Sequence, residues 1–508
     1  MAAYVRLSTI DLPSVLAAEP PSDHDLYGRS EPSCRGCARW ATYSGRTPIL
    51  TNSILLGRGA AAPALPVGFH SPTGGANEGG LVTYDGDGPL LTIAPTGAGK
   101  GLGYIIPNLL SYAGPIICTD PKGENAAVTA SRRVALGQKV LLLDPFGVSD
   151  RRDAALRGGL NPLDLINKDA PHAIDDALSL ATSMIADPLT VDPHWAARAR
   201  QIMVGVILFV AAYAEPADRH LGMVRKLIVR DMGGLAETLA AMIKSRLFGG
   251  RIADSANILL SMPDRERGSV LSTLGRDIDF VGSPHVTASL SSSDVQIEDL
   301  ITGATVSIYM IVPPERLESH RALLRLWLTT MLTAFARRKT RPDLSTLMLV
   351  DECGQLGRIP HLSTAVTLMR GYGLQPWLFF QDCAQMRSAY PTEWPTFLTN
   401  SHCATSCGFR TSTFCREIAD TLGFDGPPLL GSNDNAQLIA LNGTPARLGQ
   451  RLNYLADPEF QGLWRPNPMF GNDERKHFHG EPHHQRVPSG KDVARRGSGG
   501  RALDLPGF

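Results

Sequence analysis

An apolar run from Leu90 to Ala94 passes directly into Pro95-Thr-Gly-Ala-Gly-Lys-Gly101 and then into a helix-compatible stretch. This junction limits the possible folds more than any other segment. Bound phosphates need backbone N–H groups pointing inward, glycines that let the chain approach closely, a helix N-terminus and a cation, and these residues supply all four. Ala94 to Gly101 therefore reads as a phosphate-binding loop, with Thr96, Gly97, Ala98, Gly99, Lys100 and Gly101 as the nucleotide contacts. It departs from G-x-x-x-x-G-K-[ST] twice. Ala94 replaces the first glycine, and Gly101 replaces the Ser or Thr whose hydroxyl would hold Mg2+. A glycine-rich strand-to-helix turn with an incidental lysine would look similar, so the loop needs support from the rest of the chain.

Two more apolar runs follow, Pro115 to Thr119 and Lys139 to Leu143, with helix-compatible residues between successive runs. That alternation predicts a parallel sheet with right-handed crossovers. Upstream, Leu81 to Tyr84 and the turn signal Asp85-Gly-Asp-Gly88 predict a hairpin feeding the buried strand. After Asn161-Pro-Leu163 the period becomes helical. Ile174, Ala177, Leu178, Ala181, Met184 and Ile185 fall on one face, and Trp195, Ala199, Ile202, Met203, Val206, Val210 and Tyr213 on the next helix. Strands return at Val306 to Val312, Thr346 to Val350, Pro376 to Phe380 and His402 to Gly408, separated by helices near 315–338, 361–373 and 411–423. The expected class is α/β with a mostly parallel sheet, interrupted by an all-α insertion. The divisions are an N-terminal arm of low regular content (1–80), two halves of a nucleotide-binding domain (81–170 and 291–440), the insertion (171–290), and a C-terminal extension (441–508) whose last twenty or so residues look disordered.

The strand Leu347 to Val350 ends in Asp351-Glu352, and ligands in such sheets bind at the carboxyl ends of strands. Two adjacent carboxylates there are costly without a cation. Asp351 suits Mg2+ held through water, and Glu352 suits a general base for water attacking the γ-phosphate of ATP. Gln381, at the end of Pro376 to Phe380, is placed to sense that phosphate. Lys100, Asp351-Glu352 and Gln381 in this order resemble motor-type P-loop ATPases; kinases and GTPases lack the Glu beside the Asp. Asp120 and Asp144 also end strands, each followed by proline. Asp120 could stand in part for the missing loop hydroxyl near Mg2+, or it could cap the next helix.

Ala94 to Leu110, Asp120-Pro-Lys-Gly-Glu124, Asn161-Pro-Leu163, Asp192-Pro-His-Trp195, Val312-Pro-Pro314, Asp351-Glu-Cys-Gly-Gln-Leu-Gly357 and Gln381 together resemble the type IV secretion coupling proteins, the conjugative DNA-transfer ATPases, over roughly 85–440. The resemblance implies a RecA-like nucleotide-binding domain interrupted by an all-α domain. It also implies homohexamers around a channel, and ATP-driven delivery of a relaxase–single-stranded DNA complex or effector proteins to secretion channel subunits. By position, Gly97, Gly99 and Lys100 would bind phosphates, Asp351 the metal, Glu352 would activate water and Gln381 read the γ-phosphate. Arg370 falls where the family places an arginine that enters the neighbouring subunit's site, though it also reads as an ordinary exposed arginine. The family tolerates glycine after the loop lysine. Most members begin with membrane-spanning helices, and 1–90 contain no such segment, so the expected location is peripheral at the cytoplasmic face of the inner membrane, or cytoplasmic. The rivals are a double-stranded DNA pump of the chromosome-partitioning type and a docking platform that binds nucleotide without useful turnover.

The 49 basic and 49 acidic residues cancel, which excludes a generally basic nucleic-acid coat and confines any contact with a polyanion to a local patch. Eight cysteines in 508 residues do not make a disulfide scaffold. Cys34 and Cys37 have the spacing of half a zinc site but no second pair nearby, and Cys403, Cys407 and Cys415 read as core. His477, His479, His483 and His484 could bind a metal but read more simply as a solvated tail, and Arg486, Lys491, Arg495, Arg496 and Arg501 against Asp492 and Asp504 make a weakly basic end that could touch nucleic acid or anionic lipid. The longest apolar run, Ile202 to Ala214, is shorter than the ~20 residues a bilayer needs and predicts a core helix.

Overall fold

The computed structural model describes residues 38–40, 49–59, 80–185, 193–359, 361–441, 444 and 446–469. Cys34, Cys37, the four tail histidines and the basic end lie outside them. Twelve strands form one sheet among the described residues. They are β1 (Ala38–Trp40), β2 (Ile54–Gly59), β3 (Leu81–Tyr84), β4 (Leu90–Ile93), β5 (Ile116–Thr119), β6 (Lys139–Leu143), β7 (Val306–Met310), β8 (Thr346–Val350), β9 (Leu374–Phe380), β10 (Cys403–Cys407), β11 (Ala436–Leu441) and β12 (Arg447–Gln450). Their spatial order is β1-β3-β2-β12-β11-β10-β4-β9-β8-β5-β7-β6.

From β10 to β6 every neighbouring pair is parallel. Strands covered by helices on both faces read as unbroken apolar runs, and every residue of β4, β5, β7, β8 and β9 is buried. From β10 outward through β11, β12, β2 and β3 to β1 the pairing turns antiparallel.

The helices that cover the sheet begin with α1 (Ile106–Ser111) and α2 (Glu124–Ala135). Between α2 and α1 the fully buried Arg133 acts as a stitch. Its guanidinium donates to the Leu109 carbonyl at 3.3 Å, to the Tyr112 and Gly114 carbonyls, and to Ser307 Oγ at 3.0 Å. A buried cation without a carboxylate is tolerated only when its donors are satisfied in this way.

Among the described residues from Ala173 to Ser289 there are seven helices, α3 to α9, and no strand; three of them are α5 (Leu221–Ile228), α6 (Met232–Ile243) and α9 (Pro284–Ser289). The central one, α4 (Pro193–Tyr213), packs against α3 (Ala173–Met184), α7 (Arg251–Ser261) and α8 (Asp264–Ile278). From His194 to Tyr213 it is long and apolar enough to cross a membrane, yet most of it is buried inside the fold. Leu178, expected on the inner face of α3, is exposed, as is Tyr213 on α4. After α10 (Ile297–Thr302), the chain re-enters the sheet at β7 and runs into the long, largely buried α11 (Pro314–Phe335). Arg325 of α11 donates to the Ser183 carbonyl at 3.1 Å and ties the helical block to the sheet layer. Four shorter helices complete the cover: α12 (Leu362–Leu368), α13 (Cys383–Ala389), α14 (Trp394–Asn400) and α15 (Ser412–Leu422).

The expected hairpin between 81–84 and 89–94 does not form. Both edges of β4 are taken by the parallel strands β10 and β9, and both edges of β3 by β1 and β2. The Asp85–Gly88 turn instead carries the chain across to the sheet's centre, shaped by the Gly88 N–H donating to Tyr84 Oη at 3.0 Å. Three strands also arise in segments expected to be peripheral. β1 and β2 belong to the arm and β12 to the C-terminal extension, and β2 pairs with β12. Asn108 of α1 locks β2 in place: its Oδ1 accepts the Leu55 N–H at 2.8 Å and its Nδ2 donates to the Leu55 carbonyl at 2.9 Å, reproducing a strand partner with one side chain.

Candidate functional site

The phosphate loop leaves the C-terminal end of β4, anchored by the Ala94 N–H on the Phe380 carbonyl at 2.9 Å and closed by the Ala98 N–H on the Pro95 carbonyl at 3.1 Å. Gly97 and Gly99 have φ of +73° and +83°, the left-handed region where a Cβ is strained. Gly101 has no such φ, and a Cβ built there meets nothing within 4 Å. The absent hydroxyl is therefore a chemical feature of the site and not a steric requirement. The helix opens with a π-turn, Gly101–Ile105, which continues into α1.

Three of the expected side chains meet at the strand ends. Lys100 is 8% exposed; its Nζ donates to the Ala94 carbonyl at 3.2 Å and lies 3.5 Å from Glu352 Oε1. Glu352 Oε2 accepts from Gln381 Nε2 at 2.6 Å and from Gln355 Nε2 at 3.2 Å. β8 and β9 are neighbours in the sheet, which is why the residues just beyond their ends touch. Glu352 holds φ +52°, a conformation that costs a non-glycine residue about 1 kcal/mol or more and persists where the surroundings enforce it. Its N–H donates to Asp351 Oδ1 at 2.9 Å. Burial pushes the Asp351 carboxyl up to about 6, the neighbouring Glu352 charge adds to the rise, and Lys100 opposes it.

Asp120 is 1% exposed, and its Oδ2 accepts the Ala126 N–H at 2.8 Å in the first turn of α2. Burial drives this carboxyl up to about 7 against the pull of the Ala126 and Asn125 N–H groups. The bond to Ala126 serves the N-terminal turn of α2. Asp144 likewise closes a turn, accepting from Val148 N at 3.0 Å, Ser149 N at 2.8 Å and Ser149 Oγ at 2.6 Å.

Arg370 sits elsewhere. It precedes β9, whereas Gln381 follows it, so seven strand residues at ~3.3 Å each separate it from the loop by about 20 Å. It pairs with Asp87 at 2.5 Å beside Arg341, which meets the same carboxylate at 2.7 Å. These two guanidinium groups hold the Asp87 carboxyl below its ordinary range despite partial burial.

Two further arginines reach the loop without any motif to announce them. Arg410 Nη2 donates to the Gly97 carbonyl at 3.0 Å, and Arg451 Nη1 donates to the Ala98 carbonyl. Arg410 follows β10 and Arg451 follows β12. Only the placement of β10 beside β4, with Ser406 opposite Ile93, brings the first of them near.

The donor set suits a hard divalent ion bound mainly through its ligand. Among the described residues no group of three or more His, Cys, Asp or Glu could hold a metal. Mg2+ in nucleotide sites is held by one or two carboxylates, water and phosphate oxygens, so the partly exposed Asp351 at the end of β8 fits that use.

A parallel sheet carrying a phosphate loop after β4 and an acidic pair after β8, with β9 between them, defines a P-loop α/β protein of RecA-like fold. The Type IV secretory system Conjugative DNA transfer family matches residues 65–412, and the chain belongs to that family. A conjugal transfer protein TraG of Escherichia coli is 28% identical over 532 residues, covering 89% of this chain and 81% of that protein. Protein VirD4 of Rhizobium radiobacter is 28% identical over 309 residues, covering 59% of this chain and 43% of its own length. Among solved structures, the plasmid coupling protein TrwB in complex with ADP and Mg2+ aligns with TM-score 0.53 at 16% identity, over 73% of this chain and 88% of that one. TrwB with the non-hydrolysable GTP analogue GDPNP gives TM-score 0.55 at 15% identity, over 72% and 86%. At such identities the likeness is one of fold.

Proposed function

We propose that this chain binds Mg2+ and ATP at the loop and hydrolyses the γ-phosphate bond to drive substrates into a type IV secretion or conjugation channel. The observation that carries this reading is the contact chain from Lys100 through Glu352 to Gln381. Gly97 and Gly99 let the loop backbone surround phosphates, and Lys100 supplies the cation. Glu352, oriented by Gln381, takes the proton of the attacking water, and Gln381 reads the terminal phosphate. Mg2+ would be held by Asp351, and when bound it neutralises developing charge on the phosphates. Asp120, by its bonds, serves α2 more directly than a metal. Arg370, remote from its own chain's loop, suits a role in the neighbouring subunit's site of a homohexamer.

The nucleotide-binding unit comprises 81–170 and 291–440, interrupted by the all-α unit 171–290, with β2 and β11–β12 closing the sheet. Its cargo is a relaxase–single-stranded DNA complex or effector proteins, handed to channel subunits at the cytoplasmic face of the inner membrane. The names TraG, VirD4 and TrwB of the relatives support this assignment over a chromosome-partitioning pump. The test is ATP hydrolysis with and without single-stranded DNA, for the wild-type chain, Lys100→Ala and Glu352→Gln. Loss of a positioned general base should cost about 10²–10⁴-fold in rate. Turnover indifferent to both substitutions would reject the motor and leave a nucleotide-binding platform.

A further inference from the structure

Arg410 and Arg451 grip consecutive carbonyls of the phosphate loop, but in different ways. Arg451 is wedged: a Cβ on Gly99 would lie 2.8 Å from its guanidinium carbon, one on Gly103 would collide with its stem, and its Nε is buried. It also lies 3.4 Å from Asn435 Oδ1. Arg451 is thus a fixed brace that orients the Ala98–Gly99 peptide.

Arg410 is exposed, and among the described residues it makes no salt bridge. Its backbone is nevertheless held. Gly408 turns with φ +80° against Ala98, where a Cβ would come within 2.6 Å of the Ala98 Cβ, and Thr411 Oγ1 caps α15 by accepting the Phe414 N–H at 3.3 Å. A guanidinium on an anchored backbone therefore rests against the loop with one neutral partner, the Gly97 carbonyl.

We propose that Arg410 contacts the terminal phosphate of the bound nucleoside triphosphate in its own subunit, leaving the Gly97 carbonyl to do so. A guanidinium forms shorter, stronger and often paired hydrogen bonds to phosphate than to a neutral carbonyl. A diphosphate offers no terminal group at that position, so Arg410 stays on Gly97. The side chain thereby lets the loop distinguish triphosphate from diphosphate. Arg370 differs from it, being about 20 Å from this chain's loop.

The inference rests on the loop binding ATP, and the experiment separates the two ideas. Equilibrium binding of a non-hydrolysable ATP analogue and of ADP, each with Mg2+, is measured on the full chain for the wild type, Arg410→Gln, Arg410→Lys and Arg451→Gln. Thermal unfolding without nucleotide checks that each variant is folded. Removing one charge-assisted contact should weaken the analogue about 10- to 100-fold in Arg410→Gln. ADP affinity should stay within about 2-fold, since ADP never makes that contact. Arg410→Lys should be intermediate, and Arg451→Gln should weaken both ligands. Equal losses for analogue and ADP in Arg410→Gln, or no loss for either, would overturn the assignment. A wild-type chain that binds neither ligand would sink the nucleotide-site reading, and this assignment with it.

Discussion

Gln381 donates its side-chain amide to Glu352 Oε2 at 2.6 Å while Lys100 approaches Oε1 of the same carboxylate at 3.5 Å. Each oxygen of the proposed base is thus addressed by a residue from a different strand end. The carboxylate's orientation depends on the order of β4, β9 and β8 across the sheet.

Gln381→Ala should therefore lower kcat more than it changes KM. Loss of a positioning amide at a base is expected to reduce kcat by roughly 10- to 100-fold, with nucleotide affinity nearly unchanged. Steady-state hydrolysis against ATP concentration checks it. An increase in KM alone would mean that Gln381 serves binding and not the orientation of Glu352.

Gly101→Ser should be tolerated where Gly99→Ala is not. A serine at 101 meets open space at the start of the π-turn, where no positive φ is required, and replacing a helical glycine gains up to about 0.5 kcal/mol. The restored hydroxyl should lower the Mg2+ concentration needed for half-maximal nucleotide binding. Gly99→Ala places a Cβ at φ +83° beside Arg451, and should abolish binding. Melting temperatures together with Mg2+ titrations decide between these expectations. An Mg2+ requirement unchanged in Gly101→Ser would show that the ion does not sit near residue 101.

Asp120 gives the fold a pH dependence. Its carboxyl keeps its proton up to about 7 in the folded chain, whereas an unfolded aspartate releases it near 4. Between those values the folded state binds more protons, so the group's contribution to stability is full below pH ~4 and is lost as pH rises to about 7. Asp120→Asn keeps an acceptor for the Ala126 N–H but removes the titration. The variant should gain on the wild type by about 2–4 kcal/mol between pH 4 and pH 7, read as a growing difference in Tm. A Tm difference independent of pH would exclude the raised carboxyl. Mg2+ affinity unchanged in the same variant is the expected result for a carboxyl that serves the first turn of α2.

Arg370 and Lys100 should complement each other across subunits. If one site uses Lys100 of one chain and Arg370 of its neighbour, Arg370→Ala and Lys100→Ala chains are each inactive alone. Their mixtures should regain activity, because some interfaces then hold both residues. Loss of an arginine finger is expected to cost ~10³-fold or more. Mixtures as inactive as either variant would remove Arg370 from the reaction and leave it as the partner of Asp87.

Much of the central sheet was legible because buried parallel strands are unbroken apolar runs. Thr346 to Val350 is β8 at the expected bounds, and Lys139 to Leu143 is β6. The helical stretch to about residue 290 was legible from its 3.6-residue period. The hairpin at 81–94 was misread because the turn signal at Asp85–Gly88 is local, while the pairing of β3 and β4 is decided by which edges remain open. β12 was missed for a related reason. Arg447–Gln450 is short and polar at both ends, and becomes a strand only because β11 and β2 offer edges to it.

The chain's own sequence determined the chemistry of the site: the positive-φ glycines, Lys100, the acidic pair and Gln381, because each follows directly from its strand. Tertiary structure alone decided which of them touch, that Asp120 accepts an N–H of the first turn of α2, that Arg370 stands about 20 Å from its own loop, and that Arg410 and Arg451 reach it. Contacts between strand ends depend on lateral order in the sheet, and lateral order is set by long-range competition for strand edges and burial, which no local pattern of residues encodes.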